Sequence, residues 1–527
     1  MTVSPRATVI VVLMSLTAAA ACSDTTQPTA PTAAATAPTT TSVPRVAAAI
    51  STLLPLHVGP QTDPSLPAPI MDSHGREVLL RGVNLNSLGD YYQANTAFDP
   101  VAPVTDADWD EMAAHGISVV RLLMSWSALE PTRGNFDDAY LDRIRGAVAA
   151  AGSRGIYVVL DMHQDAYGKF IATPTGTACT PGTEAAIGWD GAPQWATLTG
   201  GADTCRSPGV RESAPAVAAA FGALYENHEG IRDELAATWQ HVATAFASDP
   251  TVAGYDLLNE PSSNAVVDDL TGRYTQLVAS LLSAVRTGER AGGGFTHLAV
   301  VEPIVGFPLP NTMPTMPTGE AESLVFAPHN YAEAIGPTII TIEQTYDIDA
   351  QKAADLGAAL WIGEYGWWDT EPPTVAKLAR YAAAEDAHLA AGAWWQWRQA
   401  CGDPHSVAQP GATPGDQTHL HRSICPANTD GGPTPEFFAL VGRPYPRATP
   451  GRLTALSAGP AMRSLQLSGI APATPDVDAP LVVWFPGDAE HPPTVQSVGL
   501  VDVVTERSPG GWYITARATG DFTLSAS

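Results

Sequence analysis

From Ile70 onward, short apolar runs of strand length alternate with longer stretches whose apolar positions recur at helical spacing. That alternation is the signature of strand and crossover-helix units built around a parallel sheet. Eight runs read as strands: Val78 to Leu85, Ser118 to Met124, Ile156 to Met162, Val252 to Leu258, Leu298 to Glu302, Leu324 to Pro328, Leu360 to Glu364 and Ala393 to Trp397. Helical patterns fall between them, at Ala139 to Ala151, Ile231 to Ala247, Asp268 to Arg286, Asp349 to Asp355 and Val375 to Ala390. Eight such units close into a (β/α)8 TIM barrel, with a cleft built by the loops at the strands' C-terminal ends. An open doubly wound sheet is the competing architecture, but no glycine-rich phosphate loop follows an early strand.

After Gly442 the pattern changes to short alternating strands with Gly and Pro turns, among them Leu481 to Phe485, Val495 to Val504 and Trp512 to Ala516. The expected division is a catalytic barrel over 60–440 and a C-terminal antiparallel β-sandwich over 441–527. The stretch from Tyr167 to Tyr225 is too long for an ordinary connection and reads as an insertion that forms a lid or binding wall.

The N-terminus departs from the globular pattern. Arg6, an apolar run from Ala7 to Leu16 and small residues up to Cys22 read as an export signal over 1–22, too short to span a bilayer. Small residues leading into a cysteine also fit lipid attachment at Cys22; simple cleavage after an alanine is the alternative. Residues 23–50 are mainly Thr, Ala, Pro and Ser and read as a disordered tether. The expected location is extracellular, or the cell surface of a bacterium as a lipoprotein. The remaining cysteines number four, and proximity favours Cys179 with Cys205 and Cys401 with Cys425. A zinc site is the weaker reading, since no cysteine and histidine cluster has ligand spacing.

Charge removes one class of partner. With 27 Lys and Arg against 54 Asp and Glu, the formal charge is −27, which repels phosphate backbones, so nucleic acid is not expected.

Polar residues recur at one end of the expected strands: Arg121, His163, Asn259 and Glu260, His329 and Tyr331, Glu364, and the tryptophans at 394, 395 and 397. A lone histidine or arginine is usually a satisfied core group; recurrence at strand ends argues for a shared cleft. Two carboxylates without a phosphate loop or serine elbow point to hydrolysis of a glycosidic bond, one acting as acid and the other as nucleophile or base. The acid needs an apolar or anionic setting to stay protonated, and the nucleophile needs donors, for which Arg121 and Tyr331 are candidates.

Asn259-Glu260-Pro261, Glu364 after an apolar strand, Arg121, His163, His329 with Tyr331, and Trp397 together resemble glycoside hydrolase family 5 over about residues 66 to 440. The resemblance implies Glu260 as acid/base, Glu364 as nucleophile, Asn259 on the sugar 2-hydroxyl and Trp397 as a stacking floor. Asp161-Met162-His163-Gln164-Asp165, Gly188-Trp189-Asp190-Gly191-Ala192-Pro193 and Trp395-Gln396-Trp397-Arg398-Gln399-Ala400-Cys401-Gly402-Asp403 look like the endoglycoceramidase branch. That branch implies release of intact glycan or sugar from ceramide, with glycolipid as substrate; the mechanism needs no cofactor or metal, and the chain is expected to be a monomer. It usually places a sugar-contacting lysine after the first strand, whereas this chain has Asn84 to Asp90, leaving Asp90 and Asp165 as candidates to grip galactosyl hydroxyls. Ile304, Val305, Phe307, Leu309, Met313, Met316, Trp367 and Trp368 are candidates for a lipid slot, packing on neighbouring loops being the alternative. Other readings keep the mechanism on β-glucan, β-mannan or aryl and steryl glycosides, or make the chain a glycolipid-binding protein without catalysis.

Overall fold

The computed structural model describes residues 52–308, 321–335, 339–367, 372–406, 424, 432–459, 463–472 and 478–527. The export signal, Cys22 and the whole of the tether lie outside these residues. Among the described residues no helix is long and apolar enough to cross a membrane.

The barrel strands, in chain order, are Gly82–Leu85, Val119–Ser125, Tyr157–His163, Val252–Asp256, Leu298–Val301, a sixth in two pieces (Leu324–Phe326 and His329–Asn330), a seventh in two pieces (Ala359–Leu360 and Ile362–Tyr365) and Gly392–Trp394. Each pairs in parallel with the next, and the eighth returns to the first through Ala393 opposite Gly82, closing the ring. These strands are buried on both faces, which is why they read as continuous apolar runs rather than alternating ones. Parallel closure puts every strand's C-terminal end on one rim. There the register sets His329 beside Glu364 and Ser125 beside His163.

The outer helices are specified locally as well as by packing. Asp138–Gly152 starts at Asp137, whose side chain accepts from Tyr140 N, and it buries Tyr140, Leu141, Ile144, Val148 and Ala151 along one face. Thr341 and Gln344 form a capping box at the start of Ile342–Asp355. The helix expected to stop at Arg286 runs from Leu270 to Ala291. Arg286 is interior to it, buried and paired with Glu289 at 2.9 Å, so its charge marks a satisfied core group and not an end.

A nine-stranded antiparallel sheet forms the second, sandwich-like layer. It includes the expected C-terminal strands, as Leu481–Pro486, Val495–Ser508 and Gly511–Ala526. It also takes three strands from ahead of the barrel, Leu56–Val58, Ile70–Asp72 and Arg76–Val78, the last pairing with Tyr445–Pro450. The run read as one strand from Val78 to Leu85 is therefore two elements in different sheets. Between them Arg81 is buried, over the Tyr445 ring at 4.4 Å and 3.3 Å from Glu385. Arg443, at the start of the C-terminal region, binds Glu385 and reaches Asp386 at 2.7 Å. Two guanidinium groups beside two carboxylates balance the charge buried at this junction. Trp484 completes this seam. It is fully buried, donates to Gly442 O at 3.0 Å, and lies so close to Gly116 that a Cβ there would sit 2.4 Å from the indole.

Candidate active site

Glu364 is the penultimate residue of the seventh strand and is buried. Its Oε1 accepts from Arg121 Nη1 at 2.7 Å, and its Oε2 accepts from Tyr331 OH at 2.9 Å. Both donors expected for a nucleophilic carboxylate are thus in place. Arg121 itself is fully buried, donating to Asp256, Glu302, Asn84 and Asn259 and lying 3.0 Å from Asp161. The fixed fork of a guanidinium can serve several acceptors at once, so Arg121 locks six side chains from five other strands and the residues just after them into one frame. Burial pushes the Glu364 carboxyl upward, against His329 and Arg121, which pull it down.

Glu260 follows the fourth strand in a left-handed backbone, φ 38°. That conformation is uncommon outside glycine, and here the surroundings impose it. Gln164 Nε2 donates to the carbonyls of both Asn259 and Glu260, at 2.8 and 2.9 Å, while Glu260 N donates to Glu302 Oε2 at 2.8 Å. The carboxylate contacts His329 Nδ1 through Oε1 at 2.9 Å and accepts from Arg211 Nη2 through Oε2 at 2.5 Å. Single oxygens of Glu260 and Glu364 and a nitrogen of His329 all lie within 4.8 Å of one another. The carboxylates expected to share a cleft do so, with His329 between them.

The setting of Glu260 is not the apolar or anionic one expected of an acid. Burial raises its pKa, but the bonds from His329 and Arg211 outweigh it and bring the group down to about 2. His329 is correspondingly held well above the ordinary histidine range: burial opposes the charge, and Glu302, Glu364 and Glu260 favour it more strongly. Glu260 is thus shifted toward its ionised form and Glu364 toward its protonated one.

The other expected sugar contacts gather beside this pair, with one exception. Asn259 is buried, its Oδ1 held by Arg121 and its Nδ2 donating to Gln164 O at 2.9 Å. His163 places Nδ1 on Asp161 at 2.7 Å and Nε2 3.8 Å from Asp165. Asp165 is bound by Arg211 at 2.7 Å and His405 at 3.2 Å. Trp397 is the exception. Its ring is wholly buried beside Phe437 and Phe438 with Nε1 on Asp108, so it offers no face to a sugar. The tryptophan at the cleft is Trp395, stacked on His163 at 5.4 Å and 14°. The strand ends at Trp394, after which alternation no longer predicts which ring points inward.

Glu302, Asp256, His405 and Arg211 belong to the site and were not singled out from sequence. Glu302 directly follows the fifth strand and was visible by the strand-end rule. Arg211 carries no such signal, because it arrives on the insertion, which the Cys179–Cys205 disulfide crosslinks. Cys401 is disulfide-bonded too, and its expected partner Cys425 lies outside the described residues. Asp90 is bound by Lys169 at 2.6 Å and by Ser127 at 2.7 Å, so a lysine does stand near the first strand's end, supplied from the insertion.

Of the lipid-slot candidates, Ile304 and Trp367 are buried in the barrel core and are corrected to packing residues. Val305 and Phe307 are partly exposed, and Val305 N donates to Pro261 O at 2.9 Å, next to Glu260. Leu309, Met313, Met316 and Trp368 lie outside the described residues.

Comparison with known proteins agrees with this geometry. The family model "Cellulase (glycosyl hydrolase family 5)" matches residues 71–400. Endoglycoceramidase I of Rhodococcus hoagii (strain 103S) is 31% identical over 278 residues, 50% of this chain and 51% of the relative. The chain thus matches about half the length of that curated relative. A crystal structure of an endogalactoceramidase aligns over 90% of this chain and 100% of its own, at TM-score 0.80 and 38% identity. Endo-glycoceramidase II from Rhodococcus sp., described as a lactosyl-enzyme intermediate, aligns over 87% of this chain and 98% of its own, at TM-score 0.65 and 26% identity.

Proposed function

The chain belongs to glycosyl hydrolase family 5, and from that membership and the site's geometry we propose that it is a retaining glycosidase that cleaves the β-bond between glycan and ceramide. The observation that carries the mechanism is the carboxylate pair, with oxygens within 4.8 Å. Retaining pairs stand ~5 to 5.5 Å apart and inverting pairs ~6.5 to 9.5 Å, the extra space holding a water. Glu364, held by Arg121 and Tyr331, attacks the anomeric carbon. Glu260 protonates the departing oxygen and then deprotonates the water that releases the sugar. Asn259 binds the 2-hydroxyl, the donor and acceptor of His163 and Asp165 bind further hydroxyls, and Trp395 takes the stacking role.

The lipid assignment is supported by the relatives' names and by where Val305 stands. Its N–H donates to the carbonyl of Pro261, the residue after the acid/base, and Val266, Ile335 and Ile339 expose aliphatic side chains on loops after the fourth and sixth strands. On a panel of galactosyl- and glucosyl-linked glycosphingolipids beside soluble β-glucan, thin-layer analysis should show intact glycan plus ceramide. Hydrolysis confined to the soluble polysaccharide, or stepwise release of terminal monosaccharides, contradicts the assignment.

We further propose that the protein is exported as a monomer and tethered to a membrane through lipidated Cys22, which would hold the cleft near lipid substrate. Metabolic labelling with a fatty acid should mark the wild-type protein and not Cys22→Ser. Equal labelling of both, or of neither, rejects the tether.

A further inference from the structure

We propose that Arg211 is a latch on the acid/base: its guanidinium occupies the oxygen of Glu260 that must face the glycosidic bond, and substrate has to displace it before proton transfer. The inference rests on the reading of Glu260 as proton donor. Both oxygens of Glu260 are engaged, Oε1 with His329 Nδ1 at 2.9 Å and Oε2 with Arg211 Nη2 at 2.5 Å. A carboxyl that protonates a leaving oxygen has to carry the proton and approach that oxygen to about 2.6 to 3.2 Å. One N–H donor on each oxygen leaves lone pairs free, but a cation there opposes the proton and crowds the approach from its side, so the contact that opens more readily is the one substrate displaces.

The structure indicates which. His329 belongs to the barrel wall, and its ring is wedged among Glu260, Glu302 at 3.3 Å and Glu364 at 3.5 Å. Arg211 instead stands on a short turn, Arg211–Ser213, of the insertion, and its side chain is partly exposed. Its other partners are Asp165 at 2.7 Å, Glu212, His405 Nε2 at 3.5 Å and the Trp189 ring at 5.0 Å. Asp165 is itself a candidate sugar contact, so a glycan that reaches the site competes with Arg211 at two points.

Exchange of a cation for a neutral glycosidic oxygen also changes the proton affinity of Glu260. The groups facing it are Arg211 and Asp165 from the insertion side, His329 and Tyr331 from the sixth strand and the loop that follows, Glu302 from the fifth and Glu364 from the seventh. His329 first and Arg211 second favour the ionised form of Glu260 against its burial; without Arg211, burial and the repulsion from Asp165 and Glu364 are opposed by His329 alone, so the proton affinity of Glu260 rises. Substrate binding thus lets Glu260 take one proton from solvent. That proton goes to the glycosidic oxygen as its bond to the anomeric carbon breaks and the bond to Glu364 forms. In the second step Glu260 recovers a proton from the attacking water. Arg211 is a positioning residue in this scheme, acting only through Glu260.

The test compares wild type with Arg211→Met and Arg211→Lys in two ways. In kinetics on a glycosphingolipid, the basic limb of kcat/KM, which reports the free enzyme, should move up by about one pH unit or more in Arg211→Met. It should stay near wild type in Arg211→Lys, and the basic limb of kcat, which reports the complex, should move less. With a dinitrophenyl glycoside, whose leaving group needs no proton, the variants should share one profile. A uniform loss at every pH with an unmoved limb makes Arg211 an ordinary binding residue and overturns the latch. Independently of activity, the 13C carboxyl resonance of Glu260, assigned with Glu260→Gln, should titrate at higher pH in Arg211→Met. An unchanged midpoint overturns the latch even in an active enzyme, whereas a raised midpoint in a protein that cleaves no glycoside defeats only the functional reading.

Discussion

Glu364→Gln is expected to lower turnover on a glycosphingolipid by on the order of 10⁴-fold or more, while the protein keeps its fold. The loss follows from removing the atom that bonds to the anomeric carbon, and no neighbour replaces it. Tyr331 is a donor to Glu364, and the other carboxylates near Arg121, namely Asp161, Asp256 and Glu302, are buried in its frame. Stability should be spared for an equally specific reason. Breaking a buried ion pair is usually costly because one charge is stranded. Arg121 is not stranded here, since three carboxylates remain on it, and a neutral amide removes the burial penalty and the repulsion from Glu260 that raise the Glu364 carboxyl. Thermal unfolding of Glu364→Gln should fall at or slightly above the wild-type temperature. A large drop in melting temperature would make the lost activity a folding effect.

Glu260→Ala is expected to show a loss that depends on the leaving group. On the ceramide-linked substrate, whose departing alkoxide needs a proton, the first step should slow by about 10²- to 10⁴-fold. On a dinitrophenyl glycoside that step should be nearly unaffected, and the second step, lacking its base, should become limiting. Added azide, a nucleophile that needs no deprotonation, should then restore turnover and yield a glycosyl azide with the β configuration. Equal losses on both substrates, with no azide effect, would remove Glu260 from the acid/base role. The backbone at this position is held by Gln164 and Glu302 through main-chain groups, so truncating the side chain leaves its left-handed turn supported.

Much of this was legible before any coordinates, and the failures have physical causes. Barrel strands buried on both faces announce themselves as apolar runs bounded by turns, and a polar residue that ends such a run is conspicuous, which is how Glu260, Glu364, His163 and His329 were found. Where hydrogen bonding changes sheets, the run gives no sign. Val78 to Leu85 has apolar residues on both sides of Arg81, yet Arg76–Val78 pairs with the C-terminal sheet and Gly82–Leu85 with the barrel. Alternation fails in the same way after Trp394, so the sequence could not choose between Trp395 and Trp397. Arg211 was beyond reach for a third reason. It stands 49 residues before Glu260 on a three-residue turn of the insertion, with two helices and the fourth strand between, and only the folded chain brings the two together at 2.5 Å.

The insertion accordingly does more than wall the cleft. It supplies Lys169 to Asp90, Trp189 and Arg211 to the rim, and a disulfide that fixes its own span. The barrel provides the two carboxylates and the frame around Arg121, and the insertion adjusts one of them.

The most direct measurement is peptide mass mapping after incubation with a 2-deoxy-2-fluoro-β-glycosyl fluoride, which forms the glycosyl-enzyme readily and hydrolyses it slowly. The account predicts one glycosyl residue bound to Glu364. An adduct on another residue, or an active enzyme that accumulates none while its first-formed sugar is the α-anomer, would contradict it.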